Sequence, residues 1–280
     1  MSPNISHPAG QGTSPLRDAT IVTGIVVNVL LYAYALWIAR SGAAGLDRLL
    51  VEDRLVEWLQ FLGFTALAGL LALVAVHLWR RRVGLGLDAL VLAGGAAVVA
   101  LAALEEISWF QRVLQVETPE FFRNNNRQGE TNLHNLALGS SSVNKSVLVK
   151  LIFLVGITHN LVLPLLARRM PRVRSFVESW GLYLPPLWPA VTYLVLVALS
   201  QLTIGHGRVG ELGEAFGAVH YLTTAFAAYA LGVGRGGEPL FTTAVDRRRA
   251  SALFSGFIVL LVFFAWLLAA GYAGRPLTPG

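Results

Sequence analysis

Cysteine is absent from this chain of 280 residues, and charged residues make up only 14% of it. Without cysteine there is no disulfide bond and no thiolate metal site, and the composition gives no sign of a redox compartment. Soluble domains carry about 25% charged residues, so the scarcity of charge and a mean hydropathy of +0.59 indicate a membrane protein. The motifs G-x-S-x-G, H-E-x-x-H and the P-loop are also missing, which excludes the enzyme classes that these motifs define.

The net charge of +6 and the pI near 10.1 raise the question of nucleic-acid binding. The basic residues, however, stand in short clusters between apolar runs, as arginines that flank membrane helices do. No basic surface studded with aromatic residues is visible, and we therefore predict no nucleic-acid partner.

Seven continuous apolar stretches are each long enough to cross a bilayer, whose core of about 30 Å needs roughly 20 residues of helix. Continuous runs, without the alternation of β-barrel strands, predict an all-α, polytopic bundle of about seven transmembrane helices in one membrane domain, residues 19–272. The predicted spans are 19–39, 57–79, 87–109, 146–167, 184–204, 210–233 and 250–272.

Three other segments complete the predicted organisation. Residues 1–18 are rich in Pro, Gly and Ser and are expected to form a disordered cytoplasmic tail, and 273–280 a short external tail. The connection 110–145 is longer than an ordinary loop, and long loops are usually functional or disordered. Capping signals and aromatic residues in it favour short interfacial helices.

Orientation follows from the basic residues of the short loops, which are retained on the cytoplasmic side. Of the 22 basic residues, 12 fall on the side of the amino terminus, which predicts a cytoplasmic N-terminus, an extracytoplasmic C-terminus and an extracytoplasmic 110–145 connection. These residues are Arg17, Arg80, Arg81, Arg82, Arg168, Arg169, Arg172, Arg174, Arg235, Arg247, Arg248 and Arg249.

The segment EEISWFQR, residues 105–112, ends the third apolar run with two adjacent carboxylates. Helical spacing predicts that Glu105, Ser108 and Arg112 share a face, while Glu106 points about 100° away. The segment is either the edge of a working site or a solvated helix rim in which Glu105 pairs with Arg112.

Two short helices are expected in residues 115–136. Thr118 reads as an N-cap with Pro119 at the first helical position, and Phe121 and Phe122 could bury themselves to fold the segment over the bundle.

Thr131 could cap the second of these helices, which would carry His134. If Glu130 is helical, it lies four residues before His134, a spacing that suits a carboxylate orienting an imidazole or two ligands of one metal. Polar caps on a surface loop are the alternative.

EEISWFQR, followed by ETPEFF and QGETNLHN, resembles a signature of bacterial multi-pass membrane proteins of no established function. The resemblance covers roughly residues 105–136 and implies a bacterial cytoplasmic membrane, but no activity. A seven-span bundle with Glu, Ser and His also invites comparison with membrane hydrolases of the alkaline ceramidase type. Those proteins hold zinc through a paired H-x-x-x-H, which the six histidines here do not form.

A third polar element, residues 205–222, joins the fifth and sixth spans on the same predicted face as Glu57 and Gln60. Glu211 and Glu214 are three residues apart on one helical face, or they simply stabilise a helix start. His220 and His159 fall within the bilayer, where they either form helix–helix hydrogen bonds or belong to an ion path.

The polar residues gather on one face, which favours a membrane-embedded, metal-dependent enzyme acting on a lipid or another amphiphile. A proton- or cation-coupled transporter and a subunit that docks a partner through 110–145 remain alternatives, and the oligomeric state is left open. The predicted catalytic residues are Glu105, Glu106, Ser108, Arg112, Glu130 and His134. The predicted ligands of a divalent metal are Glu105, His134, His206, Glu211 and Glu214.

Overall fold

The computed structural model describes residues 18–81, 86–143 and 147–272. Within them the chain is almost entirely helical, with one two-stranded antiparallel hairpin, β1 (Ala137–Leu138) and β2 (Ser141–Ser142). The helices are α1 Ala19–Ala39, α2 Ala43–Leu50, α3 Leu55–Arg81, α4 Leu87–Glu106, α5 Gln111–Leu114, α6 Glu120–Asn125, α7 Val149–Ile157, α8 Leu163–Arg169, α9 Pro171–Ser179, α10 Leu187–Thr203, α11 Gly210–Leu231 and α12 Ala244–Tyr272.

Each of the seven predicted apolar runs contains a long helix, and an all-α fold is confirmed. Five helical stretches have the length and hydropathy of membrane spans, as a multi-pass membrane protein requires. They are Ala19–Ala39, Ala43–Arg81, Leu87–Glu106, Val149–Arg169 and Ala244–Gly271. Of the other two runs, α10 has only 17 residues and α11 is not among the five. The count of seven spans therefore remains a prediction.

Helix α11 forms the centre of the bundle and contacts α1, α3, α10 and α12. Nearly all of its residues are buried, so protein surrounds it and its polar side chains find partners there. Small residues allow the close approach: an added Cβ at Gly63 of α3 would lie 3.0 Å from the Cβ of Ala218. Packing through small residues is how membrane helices associate in the absence of a hydrophobic driving force.

The outer helices turn large apolar side chains away from the bundle. Leu151 and Phe153 on α7, and Leu253 and Phe263 on α12, are each at least half exposed. In water such a surface would be unfavourable, whereas a lipid environment accepts it.

The third span ends earlier than the predicted 87–109. Helix α4 stops at Glu106, and the next turn holds three consecutive non-glycine residues at positive φ, namely Ser108 (47°), Trp109 (56°) and Phe110 (62°). This conformation costs roughly 1 kcal/mol or more per residue. It changes the chain direction, so the helical face predicted for Glu105, Ser108 and Arg112 does not exist.

Other boundaries shift for local reasons. Helix α10 begins at Leu187, after the extended pair Pro185–Pro186, which cannot donate backbone hydrogen bonds. Helix α12 begins at Ala244, because the Thr243 hydroxyl accepts from the backbone N–H of Asp246 and caps it. Asp18, predicted to lie in a disordered tail, is buried and caps α1 by accepting from the N–H groups of Thr20 and Ile21. The rest of both predicted tails lies outside the described residues, as do Arg17, Arg82 and Lys145.

Residues 115–136, which we call the lid, fold back over one end of the bundle. The lid contains α6, which begins at Glu120 with Pro119 as its N-cap residue, one position later than predicted. The second expected helix, from Thr131 through His134, is absent: this part of the lid forms turns that lead into β1. Phe121 is 60% exposed and packs edge-to-face against Phe122, so Phe121 is not buried against the bundle.

Candidate functional site

Arg112 gathers carboxylates from three segments at the lid end of the bundle. Its Nε donates to Asp53 Oδ2 at 3.1 Å, Nη2 to Glu57 Oε1 at 2.6 Å and Nη1 to Glu130 Oε2 at 2.6 Å. We call these four residues the Arg112 cluster. Burial lowers the pKa of Arg112, but the nearby carboxylates raise it by more, so the net direction is upward and the guanidinium stays charged. The cluster ties the lid to the start of α3.

Ser108 lies beneath the same arginine. It is 1% exposed, its hydroxyl donates to Glu130 Oε2 at 2.5 Å, and its oxygen accepts from Asn132 Nδ2 at 2.9 Å and Arg112 Nη1 at 3.3 Å. All hydrogen-bonding positions of the hydroxyl are therefore used. Glu130 consequently pairs with Ser108 and Arg112, and it does not orient His134 as the four-residue spacing predicted.

Glu105 and His134 form a pair that we call the dyad. Glu105 Oε2 accepts from the backbone N–H of Leu133 at 2.7 Å and of His134 at 3.0 Å, and lies 3.2 Å from His134 Nδ1. Its other oxygen accepts from Trp109 Nε1 at 2.7 Å. The alternative pairing of Glu105 with Arg112 is not formed, because the left-handed turn separates them.

The hydrogen-bond partners of His134 assign its neutral tautomer. Asn135 Nδ2 donates to His134 Nε2 at 2.7 Å, so Nε2 carries the lone pair and Nδ1 carries the proton that faces Glu105. A carboxylate that accepts from Nδ1 fixes the orientation of the imidazole and stabilises its protonated form. A histidine that acts as a general base has this arrangement.

Three further carboxylates meet where α4 ends against the start of α11. One oxygen from each of Glu106, Glu211 and Glu214 lies within 4.8 Å of the others, and all three residues are partly buried. We call them the carboxylate triad. Gln60 of α3 is fully buried beside it, and its Nε2 donates to the Glu211 backbone oxygen at 2.9 Å and to Glu211 Oε2 at 3.2 Å.

The Arg112 cluster, the dyad and the triad each contribute residues to the lining of one polar cavity. The cavity has a volume of about 60 Å³ that water-sized molecules can enter. One water needs about 10–15 Å³ of such volume. It therefore takes a few waters, an ion or one small polar group. The lining contains five carboxylates, two guanidinium groups and one imidazole; they belong to Glu52, Glu57, Glu106, Glu130, Glu211, Arg112, Arg208 and His134.

The predicted metal ligands separate into three places. Glu211 and Glu214 join the triad, while Glu105 and His134 pair with each other in the dyad. His206 lies apart, with Nε2 3.2 Å from Asp47 Oδ1 on α2. The sequence made Glu106 a catalytic candidate on a helix face about 100° from that of Glu105. That divergence is what brings Glu106 to α11.

The two histidines that were predicted to lie within the bilayer, His220 and His159, have separate buried partners near the α7–α8 segment. His220 Nε2 lies 2.8 Å from Asn160 Oδ1, and Asn160 Nδ2 donates to the Tyr221 hydroxyl at 2.6 Å. Asn160 sits in a π-helical turn, Thr158–Val162, and π-helical turns are frequent at functional sites. His159 Nε2 lies 3.0 Å from the Tyr183 carbonyl oxygen.

Comparison with protein-family models, with curated proteins and with solved structures found no match to this chain.

Proposed function

We propose that the protein is a multi-pass membrane enzyme that uses the dyad as a general base against an amphiphilic substrate at the membrane surface. The observation that carries the proposal is the dyad itself: His134, backed by Glu105, lines an acidic cavity at the end of a bundle of apolar helices. An isolated surface histidine would need neither the carboxylate nor the cavity.

The chemistry follows from the tautomer. His134 Nε2 accepts a proton from a water that replaces the Asn135 contact, while the negative charge of Glu105 stabilises the imidazolium. The resulting hydroxide attacks an ester carbonyl or phosphoryl centre, and the proton on Nε2 passes to the leaving oxygen. A positioned base of this kind contributes about 10²–10⁴-fold to a rate.

The substrate class follows from the surroundings of the cavity. Only a small polar group fits inside, so the rest of the substrate stays outside, where the chain around the lid exposes large apolar side chains. These are Trp109, Leu114, Val116, Phe121 and Leu133. A polar cavity, together with exposed apolar side chains on and next to the lid, suits a molecule with one polar group and an apolar tail and suits contact with the membrane surface. In the predicted orientation this surface is extracytoplasmic.

The test uses purified protein in liposomes of ester-linked glycerophospholipids, with products detected by mass spectrometry. We expect turnover by the natural chain and a loss of at least 100-fold in His134→Gln, because glutamine can still donate to Glu105 but cannot accept a proton. His206→Gln is the matched control and should keep full activity, since His206 lies outside the cavity. Turnover that is the same in His134→Gln would refute the role of the dyad.

A second candidate function, proton- or cation-coupled transport, is favoured by a separate observation. Polar side chains follow α11 from Glu211 to Tyr229, about 27 Å of helix at 1.5 Å per residue, and the π-helical turn interrupts the neighbouring helix at Asn160. Ion flux into dye-loaded liposomes that disappears in His220→Gln, with no lipid turnover by the natural chain, would favour this candidate.

A further inference from the structure

The carboxylate triad has the dimensions of a ligand set for a cation. Oxygen ligands lie about 2.1 Å from Mg²⁺ and about 2.4 Å from Ca²⁺, so two ligands of one ion are separated by at most about 4.2–4.8 Å. The oxygens of Glu106, Glu211 and Glu214 lie within 4.8 Å of one another in every pair, which meets the limit for Ca²⁺. Glu106 comes from α4, and Glu211 and Glu214 come from α11, so the three carboxylates meet only in the folded chain.

Among the described residues, the triad has no direct ion-pair partner; only Glu211 has a favourable electrostatic interaction, with Arg208 and His134, at longer range. In the described part of the chain, no basic side chain forms an ion pair with any of the three glutamates. Arg112 is occupied by the three carboxylates of its own cluster, and Arg208 by Glu52 at 2.5 Å. Partly buried charge of one sign is costly unless a counter-charge is present.

Gln60 provides an independent sign of a ligand. Its residue is 0% exposed, and its amide nitrogen contacts Glu211, yet its carbonyl oxygen Oε1 has no hydrogen-bond partner among the described residues. A buried amide oxygen without a partner costs roughly 1–3 kcal/mol. A cation held by the neighbouring carboxylates would use this oxygen.

We propose that Glu106, Glu211 and Glu214 bind one divalent cation, with Gln60 Oε1 as a fourth ligand. The ligands are all oxygens, which selects a hard cation of the Mg²⁺, Mn²⁺ or Ca²⁺ type over zinc. The ion enters through the cavity, which Glu106 and Glu211 line. The bound ion would serve the proposed enzyme as a Lewis acid, and in this respect the cation site rests on the proposed function. Binding of the ion itself requires neither Glu105 nor His134.

The experiment measures Mn²⁺ binding by electron paramagnetic resonance, using the full chain in mild detergent after treatment with EDTA. We expect one Mn²⁺ per chain, displaced by Mg²⁺ or Ca²⁺. Glu214→Gln should weaken binding at least tenfold, because it removes one of three charged ligands. Gln60→Leu should weaken it several-fold and leaves every charge of the triad in place, and the thermal transition of each variant checks that it is folded.

Variants of the dyad separate this inference from the proposed enzyme. Glu105→Gln and His134→Gln should bind Mn²⁺ within twofold of the natural chain while lipid turnover is lost. Absence of saturable Mn²⁺ binding, or unchanged binding in folded Glu214→Gln and Gln60→Leu, overturns the cation site and leaves the dyad chemistry standing. Loss of binding in Glu105→Gln would also overturn it, because the ion would then belong to the dyad.

Discussion

Arg112→Met is expected to destabilise the protein more than any surface substitution, because it leaves three carboxylates together without their counter-charge. The Arg112 side chain is 13% exposed, and those of Asp53, Glu57 and Glu130 are 11–20% exposed. Removing one partner of a buried ion pair costs about 3–5 kcal/mol, and methionine retains most of the apolar stem. We expect a loss in that range in the free energy of unfolding, measured by denaturant titration in mild detergent.

Two other variants are compared with Arg112→Met. Arg81→Met removes an ion pair with Glu238 whose side chains are 47% and 61% exposed, and pairs of that kind are worth about 0–1 kcal/mol. Adding Glu57→Gln and Glu130→Gln to Arg112→Met should recover part of the stability, since the unpaired charges are then gone. Trypsin should also cleave the lid after Arg123 or Arg127 sooner in Arg112→Met. Equal stability of the Arg112→Met and Arg81→Met proteins would refute the account of the cluster.

Three further predictions concern the bundle and the orientation of the lid. Asn160→Leu leaves His220 Nε2 without its buried partner and should lower the free energy of unfolding by about 1–2 kcal/mol; no loss would mean that the network is not a helix–helix contact. Gly217→Ala places a Cβ 3.2 Å from the Tyr193 hydroxyl, so the thermal transition should fall slightly, whereas an unchanged transition would show that the ring moves freely. A single cysteine at Asn125, in a chain with no other cysteine, should react with an impermeant maleimide from outside; labelling only from the cytoplasmic side would reverse the orientation.

The sequence predicted the helices well, because long apolar runs leave the backbone no other way to satisfy its hydrogen bonds in lipid. It located α1 to the residue, and it anticipated that Glu57, Gln60, Glu211 and the segment after Glu105 share one end of the bundle. Those conclusions depend on local composition and on the alternation of sides from span to span.

The contacts inside the site could not be predicted, because they depend on the left-handed turn after Glu106. Ser108, Trp109 and Phe110 are not residues that favour positive φ, so a continuing helix was the natural expectation. Because of this turn, Glu130 pairs with Ser108 and Arg112, not with His134. Glu105 pairs with His134, not with Arg112. Pairings between distant segments have no signal in one sequence.

Some residues of the site were missed although a signal existed. Asn160 stands next to His159 in an apolar run, and a carboxamide in such a run needs a partner. Asp53 and Arg208 flank the starts of α3 and α11, close in sequence to Glu57 and Glu211 on the same predicted face. By contrast, the orphaned oxygen of Gln60 could only be seen once the helices were packed.

The most direct test of the site as a whole is an experimental structure of the protein soaked in Mn²⁺, with the metal located by anomalous scattering. The account predicts one peak among Glu106, Glu211 and Glu214, within about 2.4 Å of an oxygen from each, with the His134 ring held by Glu105 and outside the ligand shell. A peak bound to His134 and Glu105, or a dyad broken apart with no peak at the triad, would contradict it.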